Sequence, residues 1–290
     1  MRNEKKVNIE EWTSVLKSKK KWFDIDLKSI WDYKDLVFLL VRRDFVAYYK
    51  QTILGPLWFI IQPLFTTIVF TVIFGGIANI PTDGADKFKA LFYMAGIVCW
   101  SYFAECLNKT ANTFVSNSGV FGKVYFPRLI IPISVVITNL ITFSIQFCLF
   151  LCFIIYFSFN GFEFHFTIQL LLLPLLLLQM ALLGLGVGVI ISSLTTKYRD
   201  LTFAVGFGVQ LWMYGSSVVV PLSAVSSPKF KMIMMLNPMT SVIETFKHIF
   251  LGIGHFNFNL FLIGWGITLL LLTIGVILFN KVEQSFMDTV

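Results

Sequence analysis

The order of apolar and polar positions divides the chain into a charged opening and an oily body. After residue 55, long apolar stretches recur with short polar turns between them. A helix needs about 20 mostly apolar residues to cross a bilayer. Six stretches meet that requirement: about 56–78, 90–111, 130–157, 166–194, 201–222 and 258–280. Five of them contain no Asp, Glu, Lys or Arg. The second contains Glu105 and Lys109, four apart on one helix face, where the two can pair while reaching the interface. The pattern predicts an all-α membrane protein with six transmembrane helices.

The segments outside these spans carry their own patterns. Over residues 28–50, Ile30, Tyr33, Val37, Leu40, Phe45 and Tyr48 recur at spacings of three to five, with Lys28, Asp35, Arg42, Arg43 and Lys50 largely off that stripe. This predicts an amphipathic helix lying along the inner leaflet. The alternative is a soluble helix packed on another domain, but Gly55-Pro56 ties the segment directly to the first span. Glycine permits unusual dihedrals and proline fits a first helical turn, so the pair reads as a joint between a surface helix and a vertical one. The chain thus divides into an N-terminal segment, 1–55, and a six-span body, 56–290, with a short tail. The loop 112–129 has room for a short helix near Asn117–Lys123 and a stop at Pro127. Segment 223–257 predicts two short helices broken at Asn237-Pro238, dipping into or lying on the outer leaflet.

Composition sharpens this picture. Hydrophobic residues make up 57% of the 290 and charged residues 13%, where soluble chains carry about 25% charged. Mean hydropathy is +0.78. A soluble enzyme, a disordered tail and a disulfide scaffold are excluded. The net charge of +7 comes from basic groups that flank spans and alternate with acids, which fits membrane orientation rather than nucleic acid. With both termini in the cytosol, the inside segments carry 18 basic groups and the outside segments 5, so the positive-inside bias favours that placement. The N-terminus lacks the basic-then-apolar order of a cleaved signal. Cys99, Cys106, Cys148 and Cys152 all fall in apolar runs, without metal-ligand spacing to His, and read as small core residues.

Chemistry is mostly absent. There is no G-x-x-x-x-G-K-[ST] phosphate loop. Gly184, Gly186 and Gly188 lie within a span, where they suit close helix packing rather than a pyrophosphate cradle. No nucleophile–base pair and no paired-carboxylate site stands out, so no catalytic and no metal-binding residue is assigned. Intramembrane ionisable groups mark ion pathways, and five bare spans argue that energy for any uphill movement enters from a partner. Aromatic residues are abundant, with 32 Phe. Most suit lipid or helix contacts, but aromatic faces also stack on sugar surfaces without demanding one pose. Of Trp58, Phe59, Phe65, Tyr93, Trp100, Phe103, Phe207 and Trp212, at least two are expected to line a conduit.

Particular strings then point to a family. Arg43-Asp44, Tyr49 through Trp58 (YKQTILGPLW) and Gln62-Pro63-Leu64 resemble the permease subunits of ABC transporters that export polysaccharides, closest to the O-antigen and teichoic-acid exporters. Lys123 through Arg128 (KVYFPR), Tyr198-Arg199-Asp200 and Leu236-Asn237-Pro238 agree, in order, along nearly the whole chain. The opening residues 1–26 are longer than the family pattern needs; Trp12, Trp22 and Phe23 are candidates to cover a partner or the membrane surface.

The resemblance implies a homodimer of permease subunits in the bacterial plasma membrane, bound from the cytosol by two ABC ATPase subunits. It implies that ATP and Mg are held by those partners, with no cofactor in this chain. It makes Asn117, Ser118, Gly119, Val120, Phe121 and Lys123 a coupling helix, and Tyr198, Arg199 and Asp200 a second ATPase contact. The substrate it implies is an undecaprenyl-linked polysaccharide, O-antigen-like or teichoic-acid-like, whose lipid headgroup arrives near Arg42, Arg43, Lys50, Leu54 and Gly55. Asn237 and Pro238 would belong to outer gate helices. The alternatives are an ABC permease for a drug or small lipid, and a membrane enzyme acting on lipid-linked glycan. The second would be expected to show clustered His, Arg or carboxylate groups, which this sequence lacks.

Overall fold

The computed structural model describes residues 27–50, 53–121, 126–162, 168–196, 198, 200–254 and 256–285. Its elements are α1 (Leu27–Asp32), α2 (Lys34–Lys50), α3 (Trp58–Phe70), α4 (Lys89–Ala111), α5 (Thr113–Phe121), α6 (Ile130–Ser158), α7 (Leu173–Thr195), α8 (Leu201–Tyr214), α9 (Pro228–Leu236), α10 (Pro238–Leu251) and α11 (Phe258–Ser285). No strand occurs among the described residues. Among the described residues, five helical rods are long and apolar enough to cross a membrane: Gly55–Ile77, which holds α3, then Lys89–Ala111, Ile130–Ser158, Ile168–Thr195 and Phe258–Val282.

The sixth expected span, 201–222, is helical only to Tyr214. Fourteen residues rise about 21 Å, short of a hydrocarbon core of about 30 Å. The helix stops where Gly215 meets Ser216, whose Oγ donates to Met213 O at 2.6 Å, and Pro221 lacks a backbone donor further on. Beyond Tyr214 the chain turns into the bundle, burying Ser216, Ser217, Val218 and Val219.

The core is built around α4, which packs against α3, α6, α7, α8 and α10. Its approach to α7 depends on the glycine run. A Cβ on Gly184 would lie 2.8 Å from Cys106 Cβ, and one on Gly188 would lie 2.6 Å from Thr110 Cβ. Gly186 serves α11 in the same way, with Leu272 Cα 2.8 Å from an added Cβ. Lipid tails are as apolar as leucine, so close backbone approach rather than hydrophobicity holds such helices together.

A second, smaller core closes the other end. Val37, Leu40 and Val41 of α2 join Phe114, Phe121, Phe126, Ile130, Ile131, Val189 and Phe279. The Phe114 and Phe279 rings stack with centroids 4.6 Å apart. The helix expected over 28–50 is interrupted at Tyr33, and it is not cleanly two-faced. Val37 and Leu40 of the predicted stripe are buried, but Tyr33 is exposed, and so are Trp31, Phe38 and Leu39. Apolar side chains therefore occupy two sides of the segment, one against α6 and one outward. The side chain of Tyr48 lies outside the described residues. The joint forms as expected: Gly55 has φ +51°, in the left-handed region, and Pro56 sits inside the first turn of the rod.

The cysteines divide. Cys99 and Cys106 are buried, while Cys148 and Cys152 are exposed on α6, against the expectation of four core residues. In a bilayer an outward cysteine faces lipid, so an apolar run says nothing about which side of a helix is covered.

Candidate functional site

A cavity of about 410 Å³ opens between α3, α4 and α6, with Met213 of α8 at its edge. Each wall helix contributes one stripe. From α3 come Trp58, Phe59, Gln62, Pro63 and Thr66; from α4, Ile97, Trp100, Ser101, Ala104, Glu105 and Lys109; from α6, Asn139, Thr142 and Gln146. The spacings are three to four residues, one helix face each. Gly55 lines the cavity too, so the joint between the surface helix and the first span opens onto it.

The polar groups are tied to one another. Lys109 Nζ lies 3.0 Å from Glu105 Oε2 and donates to Asn139 Oδ1 at 2.9 Å. Asn139 Nδ2 in turn reaches Cys106 Sγ at 3.7 Å. The pair expected to reach the interface therefore faces a cavity and is locked across it to α6. Thr66 Oγ1 donates to Gln62 O at 2.9 Å. The arrangement offers amides, hydroxyls and two indoles to a polar ligand. It holds no nucleophile–base pair, and among the described residues no group of His, Cys, Asp and Glu could hold a metal ion.

Of the eight candidate aromatics, Trp58, Phe59 and Trp100 line this cavity. Phe103 packs behind it, between Trp100 and Trp212, each 5.2 Å away by centroid. Trp212 is half-buried. Tyr93 is fully buried in a cluster with Phe70, Phe74 and Phe92. Phe65 and Phe207 are exposed, 65% and 66%, and neither is at the cavity.

The other candidates occupy separate regions. Arg42, Arg43 and Lys50 are exposed on α2, with Arg43 Nε donating to Asp44 Oδ1 at 2.8 Å; Leu54 is exposed beside Gly55. Asn117 Nδ2 donates to Thr113 O at 3.0 Å within α5, Gly119 has open space around it, and Phe121 is buried against Phe114 and Phe126. The side chains of Ser118 and Val120, and all of Lys123 and Arg199, lie outside the described residues. Tyr198 and Asp200 are exposed ahead of α8. Asn237 caps α10, its Oδ1 accepting from Met239 N at 3.0 Å and its Nδ2 donating to Gly215 O at 3.1 Å, while Pro238 opens the helix.

Two features are additional. The polar lining Gln62, Thr66, Asn139, Thr142 and Gln146 was not among the candidates, although its i, i+3 and i, i+4 spacing is visible in the sequence. The other is on α10, whose residues are nearly all buried. Lys247 Nζ donates to Ser217 O at 2.6 Å and sits over the Phe92 ring, 3.4 Å from its centroid. Glu244 accepts from Ser217 Oγ and from Leu222 N. Burial pushes the Lys247 ammonium down to about 8, against the pull of Glu244 and Asp83.

Comparison with known proteins places this architecture. The chain is 24% identical over 254 residues to the O-antigen export system permease protein RfbA of Klebsiella pneumoniae, covering 88% of this chain and 94% of that one. It is 26% identical over 227 residues to the protein of the same name from Myxococcus xanthus, covering 77% and 83%. Residues 35–251 match the ABC-2 type transporter family, a stretch from α2 through α10. With a multi-pass helical body and a family match over three quarters of its length, the chain belongs to the ABC-2 type transporter family, and that family and its O-antigen export relatives make it a transporter's membrane subunit, not an enzyme.

Proposed function

We propose that this chain is the permease of an ATP-driven exporter that moves an undecaprenyl-linked polysaccharide, O-antigen-like or teichoic-acid-like, across the bacterial plasma membrane to its outer side. The observation that carries the reading is the cavity: amides, hydroxyls and the indoles of Trp58 and Trp100 share one space inside a bundle that matches O-antigen export permeases over most of its length. Indole faces and amides together suit a sugar chain that must slide rather than dock.

In this reading two copies of the chain work with two cytosolic ABC ATPase subunits, which hold ATP and Mg. Both termini are cytosolic, residues 1–55 form an interface segment and 56–290 the permease body. Asn117–Lys123 and Tyr198–Asp200 transmit the ATPase stroke. Arg42, Arg43, Lys50, Leu54 and Gly55 receive the lipid headgroup, and the Asn237-Pro238 region gates the outer side. The exposed basic groups of α2 and the opening of Gly55 onto the cavity support this order of passage. A rigid-body shift of spans, driven from the cytosol, needs no buried ion pathway.

The test is reconstitution with the partner ABC ATPase subunit in vesicles loaded with a lipid-linked glycan. ATP-dependent appearance of glycan on the far side is the expected result. Full transport by the chain alone, with no nucleotide-hydrolysing subunit present, would overturn the proposal.

A further inference from the structure

The lining of the polar cavity runs along α4 for about 18 Å, from Lys109 to Ile97, and stops there. One residue on, at Gly96, the helix is covered. A Cβ on Gly96 would lie 3.1 Å from Val218 Cα, so the chain leaving α8 is laid directly onto α4 at the end of the cavity. The helix α8 reaches the cavity edge through Met213, two residues before Gly215. The segment 215–222 therefore crosses that end of the space, with Ser216, Ser217, Val218 and Val219 buried in it.

This segment does not continue the α8 helix, and irregular backbone at membrane depth needs partners from the protein around it. Side chains supply them. Lys247 Nζ donates to Ser217 O at 2.6 Å, and Glu244 accepts from Ser217 Oγ and Leu222 N. Asn237 Nδ2 donates to Gly215 O at 3.1 Å, and Ser223 Oγ, just past the segment, donates to Asp83 Oδ1. Three of these four partners, Asn237, Glu244 and Lys247, belong to α10 or its cap. Glu244 and Lys247 are 5% and 1% exposed. Apolar residues of similar volume often replace buried charges at no loss of stability, so packing alone does not call for them. A helical ladder would fix the segment to α8. These ties fix it to α10 instead, so a rigid-body shift of α10 carries Ser217 along and draws Val218 off Gly96.

We infer that the segment 215–222 is the seal at the outer end of the cavity, and that Lys247 and Glu244 are its positioning residues, which tie the seal to the motion of α10. This rests on the proposed function for which end is outer and for what the seal admits. The closing surface is then the apolar pair Val218 and Val219 on α4, and α10 is the lever that holds it there.

The experiment uses the whole complex with its ATPase in vesicles filled with carboxyfluorescein, without ATP or glycan. Wild type should retain the dye. Lys247→Met loses the grip on Ser217 O and should release dye roughly tenfold faster, the shift expected from one lost hydrogen bond to a charged group. Glu244→Ala should do the same. Glu244→Gln keeps an acceptor for Ser217 and Leu222 and should hold dye nearly as wild type does. Leu270→Ala, outward on α11, should stay tight. Leak is counted per folded complex, which a merely structural role would not change. A second readout loosens no tie: Val219→Cys, with the four native cysteines replaced by serine. A membrane-impermeant maleimide should label it slowly at rest and several-fold faster during ATP hydrolysis with lipid-linked glycan present. Exposed Lys87→Cys should react alike in both states. Where the tie variants yield no folded complex, the Val219→Cys rate decides. Dye retention in Lys247→Met and Glu244→Ala, or a Val219→Cys rate unmoved by turnover in a complex that exports glycan, overturns the seal and leaves the proposed function standing. Leak on loss of either tie in a complex that exports no glycan would uphold the seal and sink the proposed function instead.

Discussion

The helices α4 and α11 both cross the membrane by length, yet they are opposites. The span formed by α4 has a mean hydropathy of 1.4 and is 78% buried; the Phe258–Val282 span has a mean hydropathy of 2.5 and is 22% buried. The least apolar of the five spans is the most enclosed. A soluble protein has the reverse order, because water drives apolar surface inward. Here the outside is hydrocarbon, so helices rich in leucine and phenylalanine lose nothing by facing out. The helix carrying Ser101, Glu105, Lys109 and Thr110 must be covered by others.

The sharpest way to break this contrast is to disturb the glycines by which α7 reaches α4. Gly188→Leu drives side chain into Thr110 and the Leu107 carbonyl. The expected cost is roughly 3 kcal/mol, the upper end for overpacking, read as loss of monodisperse protein on detergent extraction. Gly206→Leu on α8, where nothing lies within 4 Å of an added Cβ, should extract normally. Equal loss from both would mean that backbone approach does not hold α4 in place.

Next in size is the polar face of α4. Asn139→Leu removes the α6 hydrogen-bond partner of Lys109 while keeping the Glu105 ion pair. With both charged side chains partly exposed, the expected destabilisation is about 1 kcal/mol, read as a lowered melting temperature. Transport should fall further than stability, because the same groups line the cavity. Asn139→Gln, which restores an amide, should recover part of it. Transport and stability falling together would make the network structural only.

Much of this arrangement is legible in the sequence. The long rods, the Gly55-Pro56 joint, the break at Asn237-Pro238 and the packing role of the glycine run all follow from local rules. The sides of the helices do not. Hydropathy reports what a segment tolerates, and in lipid an apolar residue tolerates both faces, so Cys148, Phe65 and Phe207 gave no sign that they would point outward. The polar positions did give a sign. Gln62 and Thr66, or Asn139, Thr142 and Gln146, are costly toward lipid and share one helix face, so their spacing alone marks the walls of the cavity. The length of α8 was hidden for another reason: Val218, Val219 and Val220 extend the apolar run past the point where Gly215 and Ser216 end the helix.

A smaller effect separates cavity aromatics from those outside it. Trp58→Ala should weaken transport about three- to tenfold, the loss of one stacking face. Phe65→Ala, two turns along the same helix but away from the cavity, should leave transport near normal. Equal effects from the two would detach the cavity from the transport path.

A last contrast concerns α10, buried like α4 but packed around a charge. Lys247 is held down to about 8 by burial, below the 10.5 of an exposed lysine, so its charged form is the one the fold disfavours. Below pH 8 both folded and unfolded chains carry the proton, and the full penalty stands. Between pH 8 and 10.5 the unfolded chain binds the proton more than the folded one, so this group makes the fold more stable as pH rises. Melting temperatures in detergent at pH 7.5 and 9.5 test this, with Lys247→Met as the reference that removes the group's share of the change while keeping a chain of similar length over Phe92. Wild type should gain more, or lose less, than Lys247→Met across that interval. A wild type whose pH response matches the variant would mean that Ser217 O and the Phe92 face stabilise the ammonium as well as water does, and that α10, unlike α4, encloses its charge without penalty.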